Sequence, residues 1–233
     1  MKKVTIGIPG YKSTGTHFGA GENNLEFISE FGNPAIIMPY EEAEELKRYD
    51  MLYLPGGLDL NPKHYNSKPS YKSSNIDVFK ENFYNNQLPY FVENNIPIFG
   101  VCLGAQTLAA YFGGKITKNL PFHAQSPDRW EPAHKVFAFA EAVKYAGKII
   151  AMEVNSHHHQ ALTSSGLDEK GTIIPLFFAQ NEDKKAAKQG EIIEAFKIKD
   201  KPIFGVQWHL EEFFDDFSIN IMESLAKISG TKK

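Results

Sequence analysis

A single cysteine, Cys102, occurs in 233 residues. That count excludes an intramolecular disulfide framework and a Cys-rich structural zinc site, and nothing in the chain asks for an oxidising compartment. An excess of one charge is also missing. The 25 Lys and Arg stand against 28 Asp and Glu, a formal net charge of −3. Such a balance gives no electrostatic reason to expect nucleic acid or an anionic membrane as partner. No hydrophobic run approaches the ~20 residues that cross a bilayer, and the apolar part of Met1–Ile8 is too short and too soon interrupted for a signal peptide. The expectation is a cytoplasmic protein. Core material is plentiful, with 18 Phe and 10 Tyr in a chain that is 42% hydrophobic and 23% charged, as in ordinary soluble globular proteins. With no internal repeat, low-complexity tract or linker, one domain over 1–233 is expected.

Strand signals and helical periods alternate through the first half. Val4–Ile8, Ala35–Met38, Met51–Leu54 and Ile96–Val101 read as strands. Leu25, Phe27, Ile28 and Phe31 form a helical face ending at Gly32, and Glu41–Arg48 and Asp77–Asn94 are helical in composition. Pro89 must kink the last of these or start a new helix. This rhythm predicts a parallel sheet covered by helices on both faces. In the second half, Lys115–Thr117, Lys135–Phe139, Ile149–Val154, Thr172–Ala179, Ile192–Ile198 and Pro202–Gln207 are strand candidates, several of them antiparallel. Asn119–Pro132 reads as a surface loop, and Glu212–Lys227 as a helical tail.

Cys102 sits in Gly100-Val101-Cys102-Leu103-Gly104, directly after a strand and before a helix-forming segment, Ala105–Phe112. This is the sulfur version of a G-x-S-x-G nucleophile elbow. Small flanking residues permit a tight turn, and the helix N-terminus favours thiolate over thiol. A lone cysteine in such a run also fits a buried apolar role. A nucleophile needs a base, and the base needs an orienting group. His209 follows the strand Pro202–Gln207 and so reaches the same end of the sheet, while Glu211 can turn back to the imidazole. Pro55-Gly56-Gly57 follows another strand. There the N–H of Gly57, with that of Leu103, can form an oxyanion hole; a plain tight turn is the alternative. His157-His158-His159 does not read as a metal site, because adjacent side chains diverge and no carboxylate pattern completes it. A polar pocket rim suits them better. No metal and no cofactor are expected.

Four motifs occur in order over most of the chain. They are Pro55-Gly56-Gly57-Leu58-Asp59 with Pro62 and Tyr65, Gly100–Gln106, Asn155-Ser156-His157-His158-His159-Gln160, and Gly205–Glu211. With them the sequence resembles class I glutamine amidotransferase domains, and more narrowly their gamma-glutamyl-gamma-aminobutyrate hydrolase-like branch of cysteine peptidases. The resemblance implies a flavodoxin-like three-layer α/β/α fold, a Cys102–His209–Glu211 triad, and oxyanion donors at Gly57 and Leu103. It also implies cleavage of a γ-glutamyl amide through a γ-glutamyl thioester, and places Gln106, Asn155, Ser156 and His158 near the glutamyl head of a small-molecule substrate. A glutaminase subunit serving a separate synthetase, or a non-catalytic binding protein, would use the same scaffold. The chain departs from the branch at Leu103, where Cys-Arg-Gly is usual, and at Leu210, where His-Pro-Glu is usual. It also departs in Asn75-Ile76-Asp77-Val78-Phe79-Lys80, where only Asp77 is clearly kept.

Overall fold

In the computed structural model, residues 3–12, 18–65, 77–118, 120, 123, 125–179 and 190–231 are described. Asn75, Ile76 and parts of the expected 119–132 loop lie outside them. Among the described residues nine strands form one mixed sheet, β2 (Tyr11–Lys12) and β3 (Phe18–Gly19) pair apart from it, and α2 (Ala43–Leu46) and α6 (Val143–Ala146) are single-turn helices. The first half of the large sheet is built from β1 (Thr5–Pro9), β4 (Asn33–Ile37), β5 (Met51–Leu54), β6 (Ile98–Val101) and β13 (Ile203–Val206), in the order β4-β1-β5-β6-β13. These five are parallel. Antiparallel β12 (Ile192–Ile198), β11 (Ile173–Ala179), β8 (His134–Ala138) and β9 (Ala151–Val154) extend the sheet beyond β13.

The central strands are apolar throughout because both faces are covered, as parallel sheets require. Successive side chains alternate between two cores. Met51 and Tyr53 of β5 join one cluster with Phe27 and Ile28 of α1 (Glu22–Ser29) and Phe217 and Met222 of α7 (Asp216–Gly230). Leu52 and Leu54 join the other, with Phe91 and Val92 of α4 (Leu88–Glu93) and Leu108 of α5 (Leu103–Tyr111). Each fully buried Leu or Phe contributes roughly 1.5–3 kcal/mol. The result is the three-layer α/β/α architecture. Among the described residues no helix is long and apolar enough to cross a membrane.

One expectation is settled and two change. The 77–94 segment breaks at Pro89, which starts a new helix. Asp77 caps α3 (Val78–Asn82), a π turn spans Phe83–Gln87, and α4 restarts with Pro89 in its first turn, where the missing N–H does no harm. The last helix begins at Asp216 rather than Glu212, because Asp215 caps it through Ser218 N (2.7 Å). Finally, Gln160–Leu162 is a strand, β10, paired with β7 (Ile116–Lys118).

Candidate active site

β6 and β13 carry the same tetrapeptide, Ile-Phe-Gly-Val, and lie side by side in register, Ile203 on Ile98 through Val206 on Val101. Their carboxyl ends therefore open onto one crevice, the usual ligand position in an open α/β sheet. Cys102 leaves β6 in a conformation with φ 50° and ψ −107°, in the positive-φ range that L residues rarely occupy. Strain of this kind costs about 1–3 kcal/mol and persists only where neighbours fix it. Here Cys102 N donates to Val206 O (2.8 Å) and Cys102 O accepts from Gln106 N (3.0 Å). Gly104 lets the start of α5 close on β5, since a methyl group there would collide with the Leu54 carbonyl.

Three residues beyond β13 the chain folds back, with Glu212 N and Phe213 N both donating to His209 O (3.2 and 3.0 Å). That turn is why the helix starts late, and it returns Glu211 to the imidazole. His209 Nδ1 and Glu211 Oε1 are 2.8 Å apart and buried. Burial opposes a charge on His209, but the negative charge and hydrogen bond of Cys102, reinforced by Glu211, push its pKa up to about 11. Tyr53, fully buried beside Glu211, holds its phenolic proton well above the usual range, through burial first and the carboxylate second.

Gly56 passes so close to the imidazole that an added Cβ would lie 2.6 Å from His209 Cε1. At Gly57 a Cβ would meet Leu103 Cδ2 at 3.2 Å and would collide with Lys80 Nζ. Lys80, from α3, donates to Gly56 O at 2.5 Å. Burial lowers its pKa to about 8, against the opposing charges of Asp77 and Cys102. No spacing along the chain marks this cation as part of the site. It arrives beside the nucleophile from another helix, whereas position 103 holds leucine.

An open cleft is lined by Gly57, Leu58, Asp59, Cys102, Leu103, Gln106 and the run His157–Gln160. Of the residues expected near a substrate, Gln106 and His158 border this space. Gln106 Nε2 donates to Gln160 O (2.8 Å). Asn155 and Ser156 are fully buried and engage the protein itself. Asn155 Oδ1 accepts from His209 N (2.8 Å), its Nδ2 donates to His209 O (3.1 Å) and Arg129 O (2.6 Å), and Ser156 N donates to Ser126 Oγ (2.8 Å). His159 sits at the mouth, its Nε2 3.2 Å from Asp59. Behind the cleft, His158 meets His123, His134 and Glu194, a group able to hold a metal ion. Its members come from segments far apart in the chain, so no local spacing announces it.

Comparison with known proteins agrees with this architecture. The family model for peptidase C26 matches residues 9–211. The "Putative glutamine amidotransferase-like protein YvdE" of Lactococcus lactis subsp. lactis is 30% identical over 198 residues, covering 80% of this chain and 78% of that protein. The gamma-glutamyl-CDP-amidate hydrolase of Campylobacter jejuni is 31% identical over 159 residues, 68% of this chain and 60% of that protein. Among solved structures, a "putative gmp synthase subunit a protein" from Thermoplasma acidophilum superposes with a TM-score of 0.64 at 20% identity, covering 99% of this chain and 96% of its own, a likeness of fold. The chain belongs to the peptidase C26 family, within the class I glutamine amidotransferase-like proteins.

Proposed function

We propose that this chain is a cysteine-dependent amidohydrolase that cleaves a γ-glutamyl amide, either glutamine or a γ-glutamyl amine. The observation that carries the reading is the buried His209–Glu211 pair, 2.8 Å apart, just beyond β13, whose neighbour β6 ends in Cys102 on its strained turn. Family membership supports it, as does the relative described as a gamma-glutamyl-CDP-amidate hydrolase.

In this mechanism Cys102 Sγ attacks the γ-carbonyl carbon. The carbonyl oxygen becomes an oxyanion, facing the main-chain N–H groups of Gly57 and of Leu103, the latter a first-turn helical N–H with no intrahelical partner. Imidazolium at His209 gives its proton to the leaving amine as the C–N bond breaks, and a γ-glutamyl thioester remains. His209, now neutral, takes a proton from water. The hydroxide adds to the thioester, the C–S bond breaks, and glutamate leaves with the cysteine regenerated. Glu211 keeps the imidazole oriented throughout. Gln106 faces the glutamyl head and His158 lines the same space with both ring nitrogens turned to the protein, while the surroundings of Asn155 and Ser156 suit supporting roles.

The test is a panel of glutamine and γ-glutamyl amines assayed with wild type and Cys102→Ala. Wild type should release amine and glutamate, and the variant should be inactive with its fold intact. Hydrolysis retained by Cys102→Ala would refute the assignment. If glutamine turns over only when a separate synthetase is added, the chain is a glutaminase subunit using the same residues.

A further inference from the structure

We propose that His123, His134, His158 and Glu194 form a structural zinc site behind the cleft. The four ligand atoms lie within 4.8 Å of one another. His123 Nε2 is 3.1 Å from His158 Nε2, and Glu194 Oε1 is 3.4, 3.6 and 3.8 Å from the Nε2 atoms of His123, His134 and His158. A tetrahedral ion with bonds of about 2.0–2.1 Å needs ligand–ligand edges of ~3.4 Å. The observed separations bracket that edge.

Three features of the site argue for a cation rather than a hydrogen-bonded cluster. Both carboxylate oxygens of Glu194 and the Nε2 of His134 are buried with no hydrogen-bond partner among the described residues. A fully buried carboxylate in that state is costly unless a positive charge meets it. His158 places its Nδ1 3.1 Å from Gln160 O, an N–H donated to a carbonyl that leaves Nε2 unprotonated, with its lone pair among the cluster's ligand atoms and 3.1 Å from His123 Nε2. That is the outer-shell arrangement typical of metal-bound imidazole. The side chains are also dry, at 4%, 13%, 2% and 0% exposure for His123, His134, His158 and Glu194.

The donor set names the ion. Three imidazoles with one carboxylate suit zinc, whereas calcium and magnesium take oxygen cages. Four protein ligands close a tetrahedron, so the site is structural and leaves no position for water or substrate. Its role is architectural. His123 lies between β7 and β8, His134 on β8, His158 between β9 and β10, and Glu194 on β12, so one ion ties four segments together. Gln160 O, which accepts from His158 Nδ1, also accepts from Gln106 Nε2. The ion thus anchors the floor of the cleft, and the inference stands apart from the reaction proposed for it.

The experiment uses the full chain without a polyhistidine tag. Metal content, zinc titration and cobalt substitution are measured on wild type, Glu194→Gln, His134→Ala, His159→Ala and Cys102→Ala. The expected result is one zinc per chain in wild type, with the visible absorption of four-coordinate cobalt. Both should be lost in the two cluster variants and kept in the other two. Zinc-edge absorption of wild type should show nitrogen and oxygen neighbours without sulfur, a readout that does not depend on any variant folding. No stoichiometric uptake by wild type would overturn the proposal, as would a sulfur ligand or binding lost with His159 or Cys102 alone.

Discussion

Asn155 grips His209 by both of its main-chain groups, accepting from its N–H at 2.8 Å and donating to its carbonyl at 3.1 Å. The imidazole is thus located by a residue 54 positions earlier in the chain, before Glu211 orients the ring. Replacing Asn155 by alanine frees the turn and leaves buried groups unpaired, each at about 1–3 kcal/mol. We expect kcat to fall roughly 100-fold, the cost of a misplacement on the order of 1 Å, with KM little changed. Kinetics on the folded variant measure this, and an unchanged kcat would show that the grip does not position the base.

The charge on His209 sets a pH signature. Its folded pKa, about 11, lies above the unfolded value of about 6.5. Its contribution to stability is therefore complete below about 6.5 and is lost as pH rises through about 11. The ring should stay protonated between pH 7 and 9, with no titration step in its NMR signals. Cys102→Ala removes the main cause of the elevation, so the folded pKa should drop. An imidazole that titrates alike in both proteins would exclude the pairing.

Much of this arrangement is legible along the chain, and the remainder fails for identifiable reasons. Met51–Leu54 and Ile192–Ile198 match observed strands to the residue, the first a continuous apolar run stopped by Pro55, the second rich in strand-favouring apolar residues despite Glu194 and Lys197. That β6 and β13 both read Ile-Phe-Gly-Val gains its meaning only from their pairing in space, which brings Cys102 and His209 to one crevice. β10 is three residues long, too short for any period to register. Lys80 sits in a segment read for its helical composition, and its burial depends on packing against the Gly56–Gly57 turn. His158 looked like one of three divergent neighbours; its partners arrive from three other segments.

Lys80 braces the turn that carries Gly57. Burial puts its folded pKa near 8, below the unfolded value of 10.5. Between these values the unfolded chain holds the extra proton, so stability rises with pH. Against Lys80→Met, wild type should gain stability as pH climbs from about 8 towards 10.5, by at most about 1.4 kcal/mol per pH unit, and should gain nothing below 8. Chemical denaturation at stepped pH measures the difference, and a constant gap would place the ammonium in solvent. Losing the bond to Gly56 O should also lower kcat about tenfold, short of the 10²–10³ that follows loss of an oxyanion donor itself.

Gly56 tests the cleft from the opposite wall. An alanine there sets a methyl carbon 2.6 Å from His209 Cε1, so either the ring or the turn must move. Overpacking of this kind costs about 1–3 kcal/mol, which the fold should survive. Turnover should not survive it as well, because both movements separate the imidazole from Cys102 or tilt the Gly57 N–H away from the developing oxyanion. The expected loss in kcat is on the order of 10²–10³, with slower alkylation of Cys102 near neutral pH. Gly19→Ala is the matched control, since a methyl there meets nothing within 4 Å and should leave activity unchanged. Equal activity in the two alanine variants would mean that the imidazole packed against Gly56 takes no part in the reaction.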